Sequence, residues 1–154
     1  MSAHEGLGRR KARLVRDEAP VDADVVLIRA VAADAVESII DDASTSSRRY
    51  VIENEQGGRE ILYGVSVFAL RPDRSAGELL ARFDTAPMYL PISVGALLEG
   101  GFALVPTGSN PDHFDVQLLS ARSEDAPASR SELAEAAARL VALAGPLRPN
   151  PAYT

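Results

Sequence analysis

Short apolar runs separated by polar turns make up most of the chain, and their spacing predicts strands and helices. Residues 25–28 are continuously apolar and mostly β-branched, which predicts a strand buried on both faces and central in its sheet. Residues 61–70 give the strongest strand signal, and Gly64 inside them indicates a bulge or a close approach to the backbone. Residues 102–105 and 114–119 predict the two strands of a hairpin with a wide, turn-rich loop between them.

Helical spacing of apolar residues predicts one helix over residues 32–43 and another over residues 133–144. Two shorter helices are predicted after Ser75 and Ser93, and Ser129 is predicted to cap the last helix, because a serine hydroxyl at these positions can accept a hydrogen bond from the first helical turn. Residues 50–52 give a weaker signal, which we interpret as a short edge strand.

The order of these elements argues for an α+β fold. Strands do not alternate regularly with long helices, so a doubly wound parallel sheet is not expected. We predict a mixed, mostly antiparallel sheet of four to five strands with three to four helices packed on it. Residues 21–145 are predicted to form this single domain, preceded by a basic flexible arm over residues 1–20 and followed by a C-terminal tail over residues 146–154.

Composition excludes several classes of protein and leaves the fold prediction unchanged. The 154 residues are 46% hydrophobic and 25% charged, which is the usual balance of a globular domain. The chain has no cysteine, which excludes disulfides, thiolate catalysis and iron–sulfur clusters. No apolar run approaches the roughly 20 residues of a membrane span, and the N-terminus lacks the apolar core of a signal peptide. We therefore expect a cytoplasmic protein, and the high arginine and alanine content is typical of a bacterial source.

Charge is unevenly distributed. The chain carries a net −6, of which residues 1–16 contribute +4 and the remainder −10. The positive charges of the arm are Arg9, Arg10, Lys11, Arg13 and Arg16. The acidic remainder of the chain repels nucleic acid and anionic membranes. Nucleic acid could therefore bind only through the basic arm, and no contact with a membrane is expected. We interpret these five residues as a partner-binding element, with a solvated tail as the alternative.

Residues 87–91, Pro-Met-Tyr-Leu-Pro, are predicted to be an extended and exposed linker. Methionine and tyrosine together are typical of the centres of protein interfaces. Met88 and Tyr89 are therefore predicted to contact another protein or a second copy of the chain.

The loop before residue 114 carries the side chains best suited to chemistry. His113 and Asp115 lie two residues apart at the start of a strand, so they share one face. A histidine beside a carboxylate can act as a general base with its orienting acid, or the pair can contribute to a cation site with further ligands. We take His113 and Asp115 as catalytic candidates and Thr107 and Ser109 as ligand-binding candidates. An ordinary hairpin loop is the alternative interpretation.

Arg29 ends an otherwise apolar strand. An arginine in a buried strand has to pair with an anion, which is either an internal carboxylate or a ligand phosphate, unless it leaves the sheet into solvent. Tyr63 and Ser66 lie on the strongest strand, three residues apart and so on opposite faces. Tyr63 is a ligand-binding candidate or a core aromatic. Ser66 needs a hydrogen bond, for which a backbone carbonyl near Gly64 would suffice.

Two short patches resemble a known enzyme family. The sequence Leu-Ile-Arg at residues 27–29 and the sequence Ser-Thr-Ser at residues 44–46 resemble motifs of ADP-ribosyltransferases of the Arg-Ser-Glu type. That resemblance implies a transferase in which Arg29 binds an anionic group. It covers only these patches, residue 44 falls at a helix end instead of on a strand, and no Glu-x-Glu follows a suitable strand. No family assignment follows from it.

Two functions remain open. The first is a non-catalytic binding or accessory protein acting through protein–protein contacts in a bacterial cytoplasm, because no complete catalytic constellation, metal-site pattern or cofactor motif is present. No cofactor and no metal is predicted. The alternative is a small transferase or hydrolase, with Arg29 binding an anion and His113 and Asp115 near the chemistry. This alternative requires that Arg29 and His113 converge at one cleft.

Overall fold

The structure is a computed structural model that describes residues 15–19, 21–47, 51–53 and 55–154. Its strands, in chain order, are β1 (Val26–Val31), β2 (Val51–Glu53), β3 (Arg59–Ile61), β4 (Gly64–Leu70), β5 (Met88–Ser93), β6 (Ala103–Pro106), β7 (His113–Gln117), β8 (Arg122–Ser123) and β9 (Arg148–Pro149). Its helices are α1 (Ala35–Ser47), α2 (Ala76–Leu79), a 3₁₀ helix (Ala81–Phe83), α3 (Val94–Glu99) and α4 (Arg130–Leu143).

Six strands form the main sheet, in the order β6-β7-β4-β1-β5-β9, and every pairing between them is antiparallel. The predicted α+β class is confirmed, although the sheet has six strands where four to five were predicted. A second, small sheet has the order β2-β3-β8, so the weakly predicted strand near residue 51 lies at a sheet edge, as expected. The hairpin formed by β6 and β7 is also confirmed.

Residues 87–91 are the clearest correction. They were predicted to be an exposed linker, but β5 pairs with β1 along its whole length and with β9 on its other side. Tyr89 is buried and Met88 is half-buried. A proline inside a run normally argues against a strand, and Pro91 stands inside β5, which explains why the pattern was misread.

The sheet is buried on both faces near its centre, because successive residues of a strand point to opposite sides. Leu27 of β1 belongs to the larger core, and its neighbour Ile28 belongs to a smaller core on the other face. The larger core includes residues of α1 and α4, and the smaller core includes residues of α2. The prediction that this strand is central and buried on both faces is confirmed.

The helix starts follow the predicted capping residues. The hydroxyls of Ser75, Ser93 and Ser129 each accept a backbone N–H from the first turn of the following helix. At α4, Arg122 donates a hydrogen bond to Glu132 and holds the pKa of that carboxyl below its ordinary value, and the backbone N–H of Ser129 acts in the same direction. Helix α1 continues to Ser47, past the predicted end at residue 43.

The C-terminal residues hold the segment that carries the 3₁₀ helix. Asn150 is 5% exposed, and its side chain donates hydrogen bonds to the carbonyls of Phe83 and Ala86, at 3.0 and 2.9 Å. The strand just before Asn150, β9, is an edge strand of the main sheet. In the described part of the chain, no helix has the length and apolar character that a membrane span requires.

Candidate functional site

A cleft of about 330 Å³ opens beside β4 and the 3₁₀ helix, and the aromatic part of its lining belongs to the smaller core. This volume is at the lower end of the range for small-molecule sites, which is roughly 300–1,000 Å³. Arg29 and His113, predicted separately from the sequence, both line it. The full lining consists of Arg29, Ala30, Asp42, Ser66, Phe68, Arg82, Phe83 and His113.

An ion pair stands where β1 and β4 separate. Their pairing ends at Ile28 opposite Phe68, one residue before Arg29. Beyond that point, Arg29 Nη1 donates to the Ser66 carbonyl at 2.9 Å, and the Ser66 backbone N–H donates to Asp42 Oδ2 at 2.8 Å. Arg29 Nη1 and Asp42 Oδ2 are themselves 2.9 Å apart. The two side chains therefore replace the hydrogen bonds that a further rung of the sheet would have supplied.

The anion that Arg29 needs is an internal carboxylate. Its side chain is 12% exposed, so the interpretation in which it leaves the sheet into solvent is wrong. Its Nη2 donates to the carbonyl and hydroxyl of Ser38 on α1, at 3.0 and 2.9 Å. Its Nε–H is buried and has no hydrogen-bond acceptor among the described residues.

His113 is held between Thr107 and Ser66. Its Nδ1 lies 2.9 Å from the Thr107 hydroxyl and 3.1 Å from the Thr107 carbonyl, and its Nε2 lies 3.2 Å from Ser66 Oγ. A carbonyl oxygen only accepts hydrogen bonds, so the proton belongs on Nδ1 and the lone pair on Nε2 faces the serine. The ring also meets Phe68 edge-on, with 5.2 Å between centroids. These contacts fix the orientation of the imidazole.

Asp115 lies on the same sheet face as His113, as predicted, but it does not line the cleft. It is opposite Ser66 across the β4–β7 pairing and is 2% exposed. Its carboxylate lies against Gly64, where an added Cβ would stand 2.7 Å from Oδ2. The close approach predicted at Gly64 is confirmed, and its cause is this side chain.

Substituting Gly64 with alanine is expected to lower the free energy of unfolding by about 1–3 kcal/mol, because the new methyl group overlaps a buried carboxylate. Urea unfolding measures the change. Gly77→Ala is the matched control, since a Cβ there has only ordinary contacts, the nearest at 3.5 Å, and alanine favours the helix. Equal stability of the Gly64→Ala variant and the parent protein would contradict the prediction.

Arg16 secures the loop between β6 and β7. Its guanidinium is 13% exposed and lies over the Phe114 ring, 5.5 Å from the centroid. It donates hydrogen bonds to the carbonyls of Thr107, Gly108, Asn110 and Pro111. Arg16 was predicted to be part of a partner-binding arm, but here it makes internal contacts. The other predicted arm residues, Arg9, Arg10, Lys11 and Arg13, lie outside the described residues.

The remaining candidates have different surroundings. Thr107 is fully buried and contacts His113 without lining the cleft. Ser109 is exposed on the loop and is also absent from the lining. Tyr63 is 2% exposed in the larger core, and its hydroxyl accepts the Ala128 N–H at 2.8 Å. The Ser-Thr-Ser sequence at residues 44–46 lies within α1, not on a strand.

Three polar cleft residues were missed as site residues by sequence reasoning. Asp42 was not singled out, although it follows the buried Ile39 by three residues and so borders the buried stripe of its helix. Ser66 was expected to bond to a backbone carbonyl. Arg82 has no local sequence signal, because its place at the cleft depends on the path of the chain after α2.

The chemistry available in the cleft is that of cations, a hydroxyl and an imidazole. Within the described ranges, no group of three or more His, Asp or Glu side chains is arranged to hold a metal ion. Comparison with known proteins yields no match, since no family model fits the chain and neither a curated protein nor a solved structure is significantly similar to it. The function therefore has to be argued from the site itself.

Proposed function

We propose that this protein binds a small anionic ligand in the cleft, with Arg82 as its cationic contact and Arg29 in the cleft wall. The observation that carries the proposal is the convergence of these two arginines with Ser66 and His113 around one cavity of ligand size. It also meets the condition set by the alternative predicted from the sequence, in which Arg29 and His113 share a cleft.

Arg82 supplies the charge. It is an exposed residue of the 3₁₀ helix, and its guanidinium lies over the Phe83 ring, 5.8 Å from the centroid. Among the described residues, no carboxylate forms an ion pair with it. A guanidinium that is not neutralised and is pre-oriented on an aromatic ring is well suited to a carboxylate or phosphate.

Arg29 forms part of the cleft wall without adding net charge, because Asp42 neutralises it. Its Nε–H has no acceptor among the described residues, but the atom is buried and is not open to a ligand in the cleft. Arg82 therefore carries the attraction for an anion.

The aromatic side chains define the rest of the ligand. Phe68 and Phe83 line the cleft with their ring centroids 5.7 Å apart and their planes tilted by 57°. Such a surface favours an apolar or planar body, and the small cavity limits that body to about the size of one ring. The proposed ligand class is therefore a small carboxylate or phosphate that carries an apolar group.

Titration with phenyl phosphate, followed by NMR shifts of the His113 and Phe68 rings, tests this proposal. Binding is expected in the parent protein, with at least about tenfold weaker binding in Arg82→Gln, because a charge-assisted contact is lost. Arg139→Gln is the matched control, since Arg139 also lies over an aromatic ring, that of Phe102, but outside the cleft. Equal affinity of the two variants, or no shift in the parent protein, would count against the proposal.

The first function predicted from the sequence, a non-catalytic role in protein–protein contacts, stays a prediction. Two sequence elements had supported it. Residues 87–91 belong to the sheet and so no longer support it, and most of the basic arm lies outside the described residues. If phenyl phosphate does not bind, this protein-binding role becomes the preferred hypothesis.

A further inference from the structure

We infer that Ser66 and His113 form a nucleophile–base pair that hydrolyses small esters bound in the cleft. The inference rests on the proposed function, because the anionic group of the ester is taken to occupy the same cleft beside Arg82. It goes beyond binding by assigning a covalent step to two named atoms, Ser66 Oγ and His113 Nε2.

The geometry of the pair meets the first requirement of such a site. Ser66 Oγ and His113 Nε2 are 3.2 Å apart, at the long end of hydrogen-bond reach, as is common before substrate binds. Both residues line the cleft and both are half-buried, so the hydroxyl is screened from bulk water but can be reached by a ligand.

The Thr107 carbonyl beside Nδ1 favours the tautomer that a general base needs. The Thr107 carbonyl accepts the Nδ1–H at 3.1 Å, which leaves the Nε2 lone pair for the serine proton. In many nucleophile–base pairs a third group orients the base in this way, and here a backbone carbonyl takes that place. Arg16 donates to the same carbonyl at 2.8 Å and so holds it in position.

The serine is held equally firmly. Asp42 accepts its backbone N–H and Arg29 donates to its carbonyl, at 2.8 and 2.9 Å. Both backbone groups of Ser66 are thus bound by side chains of a largely buried ion pair at the point where β1 and β4 separate. Such restraint keeps a nucleophile aligned with its base, which matters because small displacements reduce rates strongly.

The proposed reaction balances without any further reactant than water. Ser66 Oγ forms a bond to the acyl carbon while its proton passes to His113 Nε2. The bond from that carbon to the leaving oxygen then breaks, and the proton moves from Nε2 to that oxygen. Water next attacks the acyl-serine ester and gives a proton to Nε2, the carboxylic acid is released, and Ser66 Oγ takes the proton back. The net change is one ester and one water converted into an acid and an alcohol.

The test is covalent labelling of the full chain with diisopropyl fluorophosphate, which phosphorylates an activated serine and releases fluoride. Peptide mass spectrometry is expected to place the adduct on Ser66. We expect the labelling rate to fall at least about 100-fold in His113→Gln, since general bases contribute roughly 10²–10⁴-fold. Ser109→Ala is the matched control and should label like the parent protein, because Ser109 is an exposed serine outside the cleft.

A second variant guards against misfolding of the histidine variant. Ser66→Cys should react with iodoacetamide, and changing His113 to Gln in that background should slow the reaction by a similar factor, with circular dichroism confirming the fold. An absence of adduct on Ser66, or a rate that does not depend on His113, would overturn the inference.

The labelling and binding experiments fail independently. Phenyl phosphate binding without an adduct on Ser66 would leave the proposed function standing and remove the nucleophile–base pair. An adduct that depends on His113, without phenyl phosphate binding, would support the pair and remove the anionic ligand class.

Discussion

Substituting Asp42 with asparagine is expected to lower the free energy of unfolding by about 3–5 kcal/mol, the usual cost of removing one partner from a buried ion pair. Arg29 and Asp42 are only 12% and 17% exposed, so water replaces the lost carboxylate only in part. The substitution also weakens the acceptor for the Ser66 backbone N–H, which has no strand partner at this position. Urea unfolding of the two proteins measures the difference.

Glu37→Gln is the matched control for this prediction. Glu37 is also on α1 and also pairs with an arginine, Arg130, at 2.7 Å, but these side chains are 56% and 63% exposed. An exposed pair contributes at most about 1 kcal/mol, so little change is expected. The double change Arg29→Met with Asp42→Leu should cost less than Asp42→Asn alone, because it leaves no buried charge. Similar losses for Asp42→Asn and Glu37→Gln would show that the buried pair is not the source of the stability.

Replacement of Arg16 by alanine is expected to reduce the free energy of unfolding by about 2–3 kcal/mol, in the range measured for hydrogen bonds from charged groups. The loop between β6 and β7 should also open more often in the folded protein, because the guanidinium binds four of its carbonyls. Faster hydrogen exchange of the His113 amide, which donates to the Asn110 carbonyl inside this loop, would report the local change.

Two further variants distinguish the hydrogen-bond geometry of Arg16 from its charge as the cause of the stability loss. Arg16→Lys should recover less than half of the loss, since an ammonium cannot reach several carbonyls with the planar fork of a guanidinium. Arg59→Ala is the control for a general charge effect, because Arg59 pairs with Glu124 at an exposed position, where both side chains are nearly half accessible. Full recovery by lysine would mean that charge alone, and not the hydrogen-bond geometry, secures the loop.

If the nucleophile–base pair operates, Arg16 links the stability of the loop to chemistry. The Thr107 carbonyl accepts hydrogen bonds from both Arg16 and His113, so a change at residue 16 reaches the imidazole through one atom. The Arg16→Ala variant should then label Ser66 more slowly even where the protein remains folded. That result would distinguish a positioning role of Arg16 from a purely structural one.

The hydrophobic pattern along the chain was sufficient to predict the strands and helices that bury a regular face. Residues 25–28 predicted the central strand because a continuous apolar run needs partners on both sides, and Leu27 and Ile28 do enter different cores. The serine caps were also readable, because a cap depends on residues only three positions apart. The α+β class followed from the order of these elements alone.

The hydrophobic pattern did not predict the strands that form only because a neighbouring strand pairs with them. Strand β9 has two residues, too few for any periodicity, and exists because β5 offers it an edge. Strand β5 contains a proline and reads as a linker until β1 and β9 are placed beside it. In both cases the backbone hydrogen bonds of a neighbouring strand decide the structure, and a local window does not contain them.

The sequence by itself determined which residues could do chemistry, and the tertiary structure decided which of them meet. Arg29 and His113 stood out as a charge in an apolar strand and a titratable group in a polar loop. That they share a cleft, that Asp42 neutralises the arginine, and that Ser66 faces the imidazole depend on β4 lying between β1 and β7. Contacts between residues 37 and 47 positions apart are set by strand order and register, which arise from the packing of the whole sheet.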